Sequence, residues 1–415
     1  MKKIAVYALS RNHAEFVDRW VKSVKAADGI FVLDLGSQDN TVAKLKRRGV
    51  AVGVYKGESV RYDSARNQAL EMVPQDYDIC LACELNDSLP ADWKIRIMSK
   101  MIMNFDLMSY IQRNHFNNQF VSDVNKKWIH KRNINFKWQN PVEETFKPVC
   151  RSMAYKVIHS NMIVNHHEKR AKKKSDYFDW LKTGYEENTG DESIIHYLAI
   201  EYMRRNQFED AMRLFLQHIE KSSRNTERAE SMRYIAAMTT GSREKIQWLY
   251  KTITEDPLRK EHWLDLAIAY YKIQDWEKVI NACLVLSKIG DKTDYITYAP
   301  VRSTIANELC AYAAYQLKMY KLAYLQGKMA LKKNSNDKIL MRNMVFYKKV
   351  YQRRNNHSRM QVGNETDSRP LPENPRLYAQ PHSKNYIKLL KRGGEQLYCI
   401  IPFCHMILAP NGVKC

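Results

Sequence analysis

The sequence predicts an α/β domain on a mostly parallel, Rossmann-like sheet, followed by an all-α domain of helical repeats. Three observations predict it. In the first third, short apolar runs alternate with stretches whose apolar residues recur at one-face helical spacing. From residue 107 to about 167 the pattern becomes short aromatic strands. In the second half strand-like runs vanish, and a six-residue pattern returns three times.

A strand over 4–9 is followed by Ser10-Arg11-Asn12-His13 and a helix carrying Phe16, Val17, Trp20, Val21 and Val24 on one face. A second strand over 30–33 ends in Asp34-Leu35-Gly36-Ser37, and a short helix then runs to a stop at Gly49. A third strand spans 50–55 and a helix covers 64–70. Residues 78–83 then form an apolar run without charge after its first aspartate, read as a strand buried on both faces. Such β-α-β-α-β order places a nucleotide at the carboxyl edge of the sheet.

Glu84, Asn86 and Asp87 stand where the fourth strand ends. Hard oxygen donors of this kind suit Mg²⁺ or Mn²⁺ carrying a diphosphate; the alternative is a strand running into a polar turn closed by Pro90. Asp34 is placed to accept hydrogen bonds from a base or ribose, Gly36 permits the tight turn, and Ser37, Asp39 and Thr41 can cap the following helix. Arg66 either pairs with a diphosphate as a planar fork or lies on a solvated helix face.

Four segments in order carry a resemblance. Residues 12–15, then Val32-Leu33-Asp34-Leu35-Gly36-Ser37-Gln38-Asp39-Asn40-Thr41, then Ala65-Arg66-Asn67-Gln68-Ala69-Leu70, then Glu84-Leu85-Asn86-Asp87 with Leu89-Pro90-Ala91-Asp92-Trp93 resemble the successive signatures of family 2 glycosyltransferases with the GT-A fold. The resemblance implies that Ala8, Ser10, Asp34 and Arg66 line the nucleotide. It also implies that Glu84 and Asn86, with help from Asp87, stand at the metal-diphosphate position, with Mn²⁺ or Mg²⁺ as cofactor. The chain departs from the family there: Glu84-Leu85-Asn86 replaces Asp-x-Asp, which removes one negative charge and weakens attraction to a divalent cation.

In the aromatic segment, Pro141-Val142-Glu143-Glu144 stands where similar family members have an acceptor-side Pro-Val-His-Glu. Glu143 or Glu144 is the expected general base taking a proton from an acceptor hydroxyl or thiol, against an ion pair with nearby lysines. His166 and His167 close the domain, where the family sometimes has an extra metal ligand, against a structural role.

In the helical half, Asn206-Gln207-Phe208-Glu209-Asp210-Ala211 matches Gln274-Asp275-Trp276-Glu277-Lys278-Val279 and Lys318-Met319-Tyr320-Lys321-Leu322-Ala323. Phe208 and Trp276 lie 68 residues apart, twice the roughly 34-residue tetratricopeptide period, with a degenerate unit near Gly241 between them. Tyr320 follows Trp276 by 44 residues, which requires an insertion of about ten, supplied by 290–303. The expected organisation is a catalytic domain over 1–168, tetratricopeptide-like repeats over 169–352, and a linker with a partly disordered tail over 353–415.

The formal charge of +22 invites a nucleic-acid partner. The basic residues are spread over helical faces, with clusters only at 44–48 and 166–174, and no nucleic-acid motif accompanies them. A nucleotide sugar, an anionic glycan or a membrane face satisfies the same charge. No apolar run reaches the roughly 18 residues of a membrane span and nothing resembles a secretory signal, so a soluble cytoplasmic protein is expected. Cys80, Cys83 and Cys283 read as core hydrophobes, and Cys399, Cys404 and His405 lack a partner cluster for metal.

The expected activity is an inverting glycosyltransferase that moves a sugar from a nucleotide-diphosphate donor, with a lean to UDP. Its acceptor is expected between 112–146 and the repeats. The same layout occurs in bacterial enzymes that glycosylate peptides, including bacteriocin cysteines, so a peptide or protein acceptor is implied, with a saccharide as the alternative. The competing class is a non-catalytic scaffold with a decayed nucleotide site.

Overall fold

The computed structural model describes residues 2–150, 152–168, 177–290, 296–298 and 304–357. The expected linker and tail, the 169–174 part of the basic cluster and most of the 290–303 insertion lie outside the described residues. Packing divides the chain into two units, one comprising Met1–Glu201 and the other Tyr202–Lys292 with the later helices. Among the described residues, no helix is long and apolar enough to cross a membrane.

The first unit opens with β1 (Ile4–Ser10), α1 (Val17–Val24), β2 (Gly29–Asp34), α2 (Thr41–Arg47), β3 (Ala51–Val54), α3 (Tyr62–Glu71) and β4 (Ile79–Glu84). All seven residues of β1 are buried, as its uninterrupted apolar run requires for a central strand. Val17, Trp20 and Val24 of α1 and Ala65 and Ala69 of α3 are buried in the same core as the sheet, so the one-face spacing of α1 is its packing face. Gly49, at φ +75°, ends α2. Its N–H donates to the Lys46 carbonyl and the Val50 N–H to the Leu45 carbonyl, the paired bonds of a Schellman stop.

β5 (Asp87–Ser88), α4 (Trp93–Lys100), β6 (Leu107–Phe116), β7 (Gln119–Lys131), β8 (Phe136–Gln139), β9 (Thr145–Pro148) and β10 (Val157–Glu168) follow. The main sheet runs β3-β2-β1-β4-β7-β6-β10-β5, and β8 pairs with β9 apart from it. β3, β2, β1 and β4 are parallel neighbours. β7 is antiparallel to both β4 and β6, so the sheet is mixed rather than mostly parallel. The reason is local. Asn117 and Asn118 both take positive φ, 47° and 64°, and join β6 to β7 through a two-residue turn whose twist suits a hairpin. The expected aromatic strands over 107–131 are therefore segments of one long hairpin, while those over 136–148 form the separate β8–β9 pair.

Past residue 168, the helix Tyr177–Glu187 and the part of Glu192–Arg204 up to Glu201 belong to the same unit. In Tyr177–Glu187, Tyr177 donates to Glu143 at 2.7 Å, Glu187 pairs with Arg61 at 2.6 Å, and an added Cβ at Gly184 would meet Pro141 at 3.2 Å. Asp191, just before Glu192–Arg204, pairs with Lys147 at 2.7 Å.

The second unit is helical. Phe208–Lys221, Asn225–Met238, Ser242–Glu255, Lys260–Lys272, Trp276–Lys288, Ile305–Gln316, Tyr320–Lys333 and Lys338–His357 follow in order. The three copies of the six-residue pattern are the same structure. The first residue of each, Asn206, Gln274 and Lys318, has φ near +60°. The N–H of the next residue reaches back to Tyr202, Tyr270 and Ala314 respectively, closing the preceding helix with a Schellman motif each time. The aromatic then begins the next helix, and Ala211, Val279 and Ala323 are fully buried at equivalent positions. Each copy is a helix stop and restart, the joint of a helix-turn-helix array.

Candidate functional site at the sheet's carboxyl edge

Parallel pairing sets Ser10 opposite Asp34 and Leu9 opposite Glu84, so the first, second and fourth strands end at one edge. Ala8 lies inside β1, fully buried between Val32 and Cys83. Its side chain packs in the core, while Ser10 reaches the strand end.

Asp34 is the hub of the first turn. One carboxylate oxygen accepts from the hydroxyls of Ser10 at 2.7 Å and Ser37 at 2.6 Å. The other accepts from the backbone N–H groups of Gly36 at 3.1 Å and Ser37 at 2.8 Å. Gly36, at φ +82°, supplies the left-handed step that aims those N–H groups at the aspartate. The turn is tied to the next loop, because the Asn12 N–H donates to the Ser37 hydroxyl and the Gln38 N–H to the Asn12 side chain. Asp39 accepts from the Thr41 and Ala14 N–H groups, so its role at the start of α2 is local.

Arg66 points into the protein, neither onto a solvated face nor out to the edge; its side chain is 2% exposed. Its Nε donates to Glu144 at 3.0 Å, one terminal nitrogen to the Cys83 carbonyl at 3.1 Å, and the other lies 3.6 Å from Glu84. The guanidinium also stacks over Trp128 and Trp138, 4.4 and 5.4 Å from their ring centres. Burial works against its charge, but Glu144 and Glu84 outweigh that cost and hold it above the ordinary arginine value. Charge matching thus explains Glu144: it is the counter-ion of Arg66. Glu143 is also buried, in a left-handed backbone conformation at φ 51°, and accepts from the Tyr177 hydroxyl. A non-glycine residue held there carries strain of order 1 kcal/mol or more, a feature that gathers at functional sites.

The acidic turn after β4 has folded around a histidine. Asp87 is fully buried; one oxygen accepts from the Glu84 N–H at 2.8 Å and the other from the His166 Nδ1 at 2.8 Å. The Asn86 amide lies 3.0 Å from His166 Nε2. Burial lowers the affinity of His166 for a proton, but its bonds to Asp87 and Glu168 and the nearby Glu84 overcome this and push it up to about 10. The same Asn86 Nδ2 donates to the His167 carbonyl at 3.3 Å, and Glu168 lies 3.7 Å from His166 Nε2. Glu84 is the carboxylate of this group left partly exposed, at 23%.

Glu84, Asn86 and Asp87, expected as ligands of Mn²⁺ or Mg²⁺, share one turn whose arrangement does not fit that role. Asp87 has both oxygens engaged by the Glu84 N–H and His166, and Asn86 brings no charge. Among the described residues, no group of three or more His, Cys, Asp or Glu side chains is arranged to hold a metal ion. His167, the other candidate ligand, stacks on His115 at 5.2 Å. Residues the sequence did not single out complete the edge. Arg19 of α1 donates to the Asn86 carbonyl at 3.3 Å, and Trp128 and Trp138 flank Arg66. Arg19 is three residues from Phe16, shares its side of α1 and lies over its ring at 5.3 Å. Cys80 and Cys83 are buried free thiols, Cys80 pushed up to about 12 by burial, in keeping with core packing.

No protein-family model and no curated protein matches the chain. Solved structures that match part of the chain include MamA, 16% identical over 38% of this chain and 86% of that one, with a TM-score of 0.32. YrrB, a TPR protein with an unusual peptide-binding site, is 12% identical over 42% of this chain and 84% of that one, with a TM-score of 0.35. Glucosyl-3-phosphoglycerate synthase from Mycobacterium tuberculosis, in complex with Mn²⁺, UDP and glucosyl-3-phosphoglycerate, is 15% identical over 28% of this chain, with a TM-score of 0.23. The match spans 44% of that synthase, less than half its length.

Proposed function

We propose that the first unit binds a nucleotide-diphosphate sugar, UDP-linked by preference, at the carboxyl edge of β1, β2 and β4 and transfers the sugar with inversion to an acceptor hydroxyl or thiol. The observation that carries this reading is the convergence of Ser10, Asp34 and Glu84, distant in sequence, on the ends of adjacent parallel strands. That is where open α/β sheets bind nucleotides. In this account Asp34 presets the turn that receives the nucleoside, and Arg66 supplies fixed positive charge behind the edge while Arg19 lies beside it. Glu143, oriented by Tyr177, takes the acceptor proton as the acceptor oxygen or sulfur attacks the sugar's anomeric carbon in line and the nucleoside diphosphate leaves from the opposite face; Glu144 positions Arg66. The helical unit binds a peptide or protein acceptor, with a saccharide as the alternative. No step is assigned to a metal ion.

A second reading, a repeat scaffold with a non-catalytic nucleotide-like domain, draws on a specific observation: Asp34, Arg66 and Asp87 are each held by protein partners. One experiment separates the two. The purified chain is incubated with a panel of nucleotide sugars and followed by mass spectrometry for released nucleotide and for transfer to peptide. Turnover of any donor, lost in Glu143→Gln, supports the enzyme; binding of peptide without turnover of any donor supports the scaffold.

A further inference from the structure

The last two helices differ from all the others of the second unit. Tyr320–Lys333 and Lys338–His357 contain no aspartate or glutamate, whereas each earlier described helix of that unit carries at least one. The carboxylate at their junction, Asp337, accepts from the N–H groups of Ile339 and Leu340 and so serves the second helix's start.

Their outward faces are equally distinct. In the first helix, Ala323, Gly327 and Ala330 face inward, and the exposed stripe at positions 321, 325, 328, 329 and 332 alternates lysine with Leu325 and Met329. In the second, Leu340, Tyr347 and Val350 are buried, and Met341 and Val345 lie on the exposed stripe among Lys338, Lys348 and Lys349. Val345 is 69% exposed, and Leu325, Met329 and Met341 are each close to half exposed. The outward face of a helical hairpin normally turns polar side chains to water. This one offers lysines and bare aliphatic side chains, and its two helices carry no carboxylate of their own.

Charge complementarity selects the occupant. Like charge opposes a second copy of the same face. A nucleic-acid backbone would satisfy the lysines, yet would leave Leu325, Met329, Met341 and Val345 in water, and this stripe offers no exposed aromatic ring for bases to stack on. An anionic lipid surface satisfies both: lysine ammonium groups reach the headgroups while aliphatic tips enter the boundary beneath. We propose that the hairpin of Tyr320–Lys333 and Lys338–His357 docks the protein on anionic membrane surfaces.

The test is flotation of the full chain with vesicles of phosphatidylcholine alone and of phosphatidylcholine mixed with phosphatidylglycerol. Binding is expected only to the mixed vesicles, falling as salt is raised. Each lysine near such a surface is worth roughly fivefold in affinity, so Lys328→Glu with Lys348→Glu is expected to weaken binding by about 25-fold or more. Met329→Ser with Val345→Ser is expected to bind at low salt and to release at physiological salt. All four positions are exposed, and unchanged melting of the variants confirms that folding is not the cause. Binding that is equal on neutral vesicles, absent from both, or insensitive to both pairs overturns the proposal. So does capture of RNA, lost in the charge-reversed pair, by a protein that ignores vesicles.

Discussion

Replacing Arg66 by methionine is the sharpest perturbation of the edge. The substitution keeps an unbranched chain between Trp128 and Trp138 but removes the charge that Glu144 faces at 3.0 Å and the donor to the Cys83 carbonyl. Glu144 is itself only 5% exposed, so a buried carboxylate is left without its cation. Breaking one side of such a pair costs about 3–5 kcal/mol, more than the pair's net worth, because the remaining charge cannot reach water. In a unit of this size each kcal/mol moves the melting midpoint by about 2–4 °C, so Arg66→Met is expected to melt ~6–20 °C lower. Removing the stranded charge as well, in Arg66→Met with Glu144→Gln, is expected to recover a large part of the loss. Calorimetric melting of the four proteins of this cycle gives the coupling directly. If the single variant melts within about 1 kcal/mol of the parent, or the double variant is no better than the single, Arg66 is not the buried counter-ion described here.

Asp34→Asn keeps the shape of the turn but removes the charge: Oδ1 can still accept the Gly36 and Ser37 N–H groups only with Nδ2 turned to the Ser10 and Ser37 hydroxyls, at an expected cost of about 1–3 kcal/mol; chemical denaturation measures it, and nucleotide binding falls with it. Burial lowers His130 to about 4 from an ordinary 6.5, so below pH 6.5 the unfolded chain takes up a proton that the fold refuses. Its contribution to stability is present above that pH and lost as pH falls toward 4, and His130→Phe is expected to flatten that limb of a stability profile. His166, raised to about 10, acts in the opposite direction: its contribution is full below pH 6.5 and lost as pH rises through about 10. Asn86→Asp adds a carboxylate beside Glu84; the parent's nucleotide binding is expected to be indifferent to chelator, whereas the variant acquires a response to Mn²⁺ in titration calorimetry.

What could be read in advance depended on whether a signal was local. The helix stop at Gly49 and the three repeat joints follow from short-range chemistry, a left-handed residue closing a helix, and they appear in the sequence as pattern. The hairpin of β6 and β7 was equally local, signalled by Asn117-Asn118, but the aromatic residues around it drew attention to short strands. The edge itself was legible as a set of positions and not as a set of contacts. Nothing near Arg66 in sequence announces Glu144 or the two tryptophans, and nothing near Asp87 announces His166, which lies 79 residues away. Carboxylates that read as open ligands are consumed by partners which only the fold brings within reach. Arg19 escaped notice because helical periodicity classifies residues as inward or outward and cannot tell solvent from a neighbouring turn.

The central claim is that the carboxyl edge of β1, β2 and β4 receives a nucleoside diphosphate. Titration calorimetry of the full chain with UDP, GDP and CDP in the presence of chelator tests it most directly. The account predicts saturable binding, strongest for UDP and weakened by about one to two decades in Asp34→Ala, the loss expected of a charged hydrogen-bond hub. No heat with any of the three nucleotides, or binding that Asp34→Ala leaves unchanged, would contradict it.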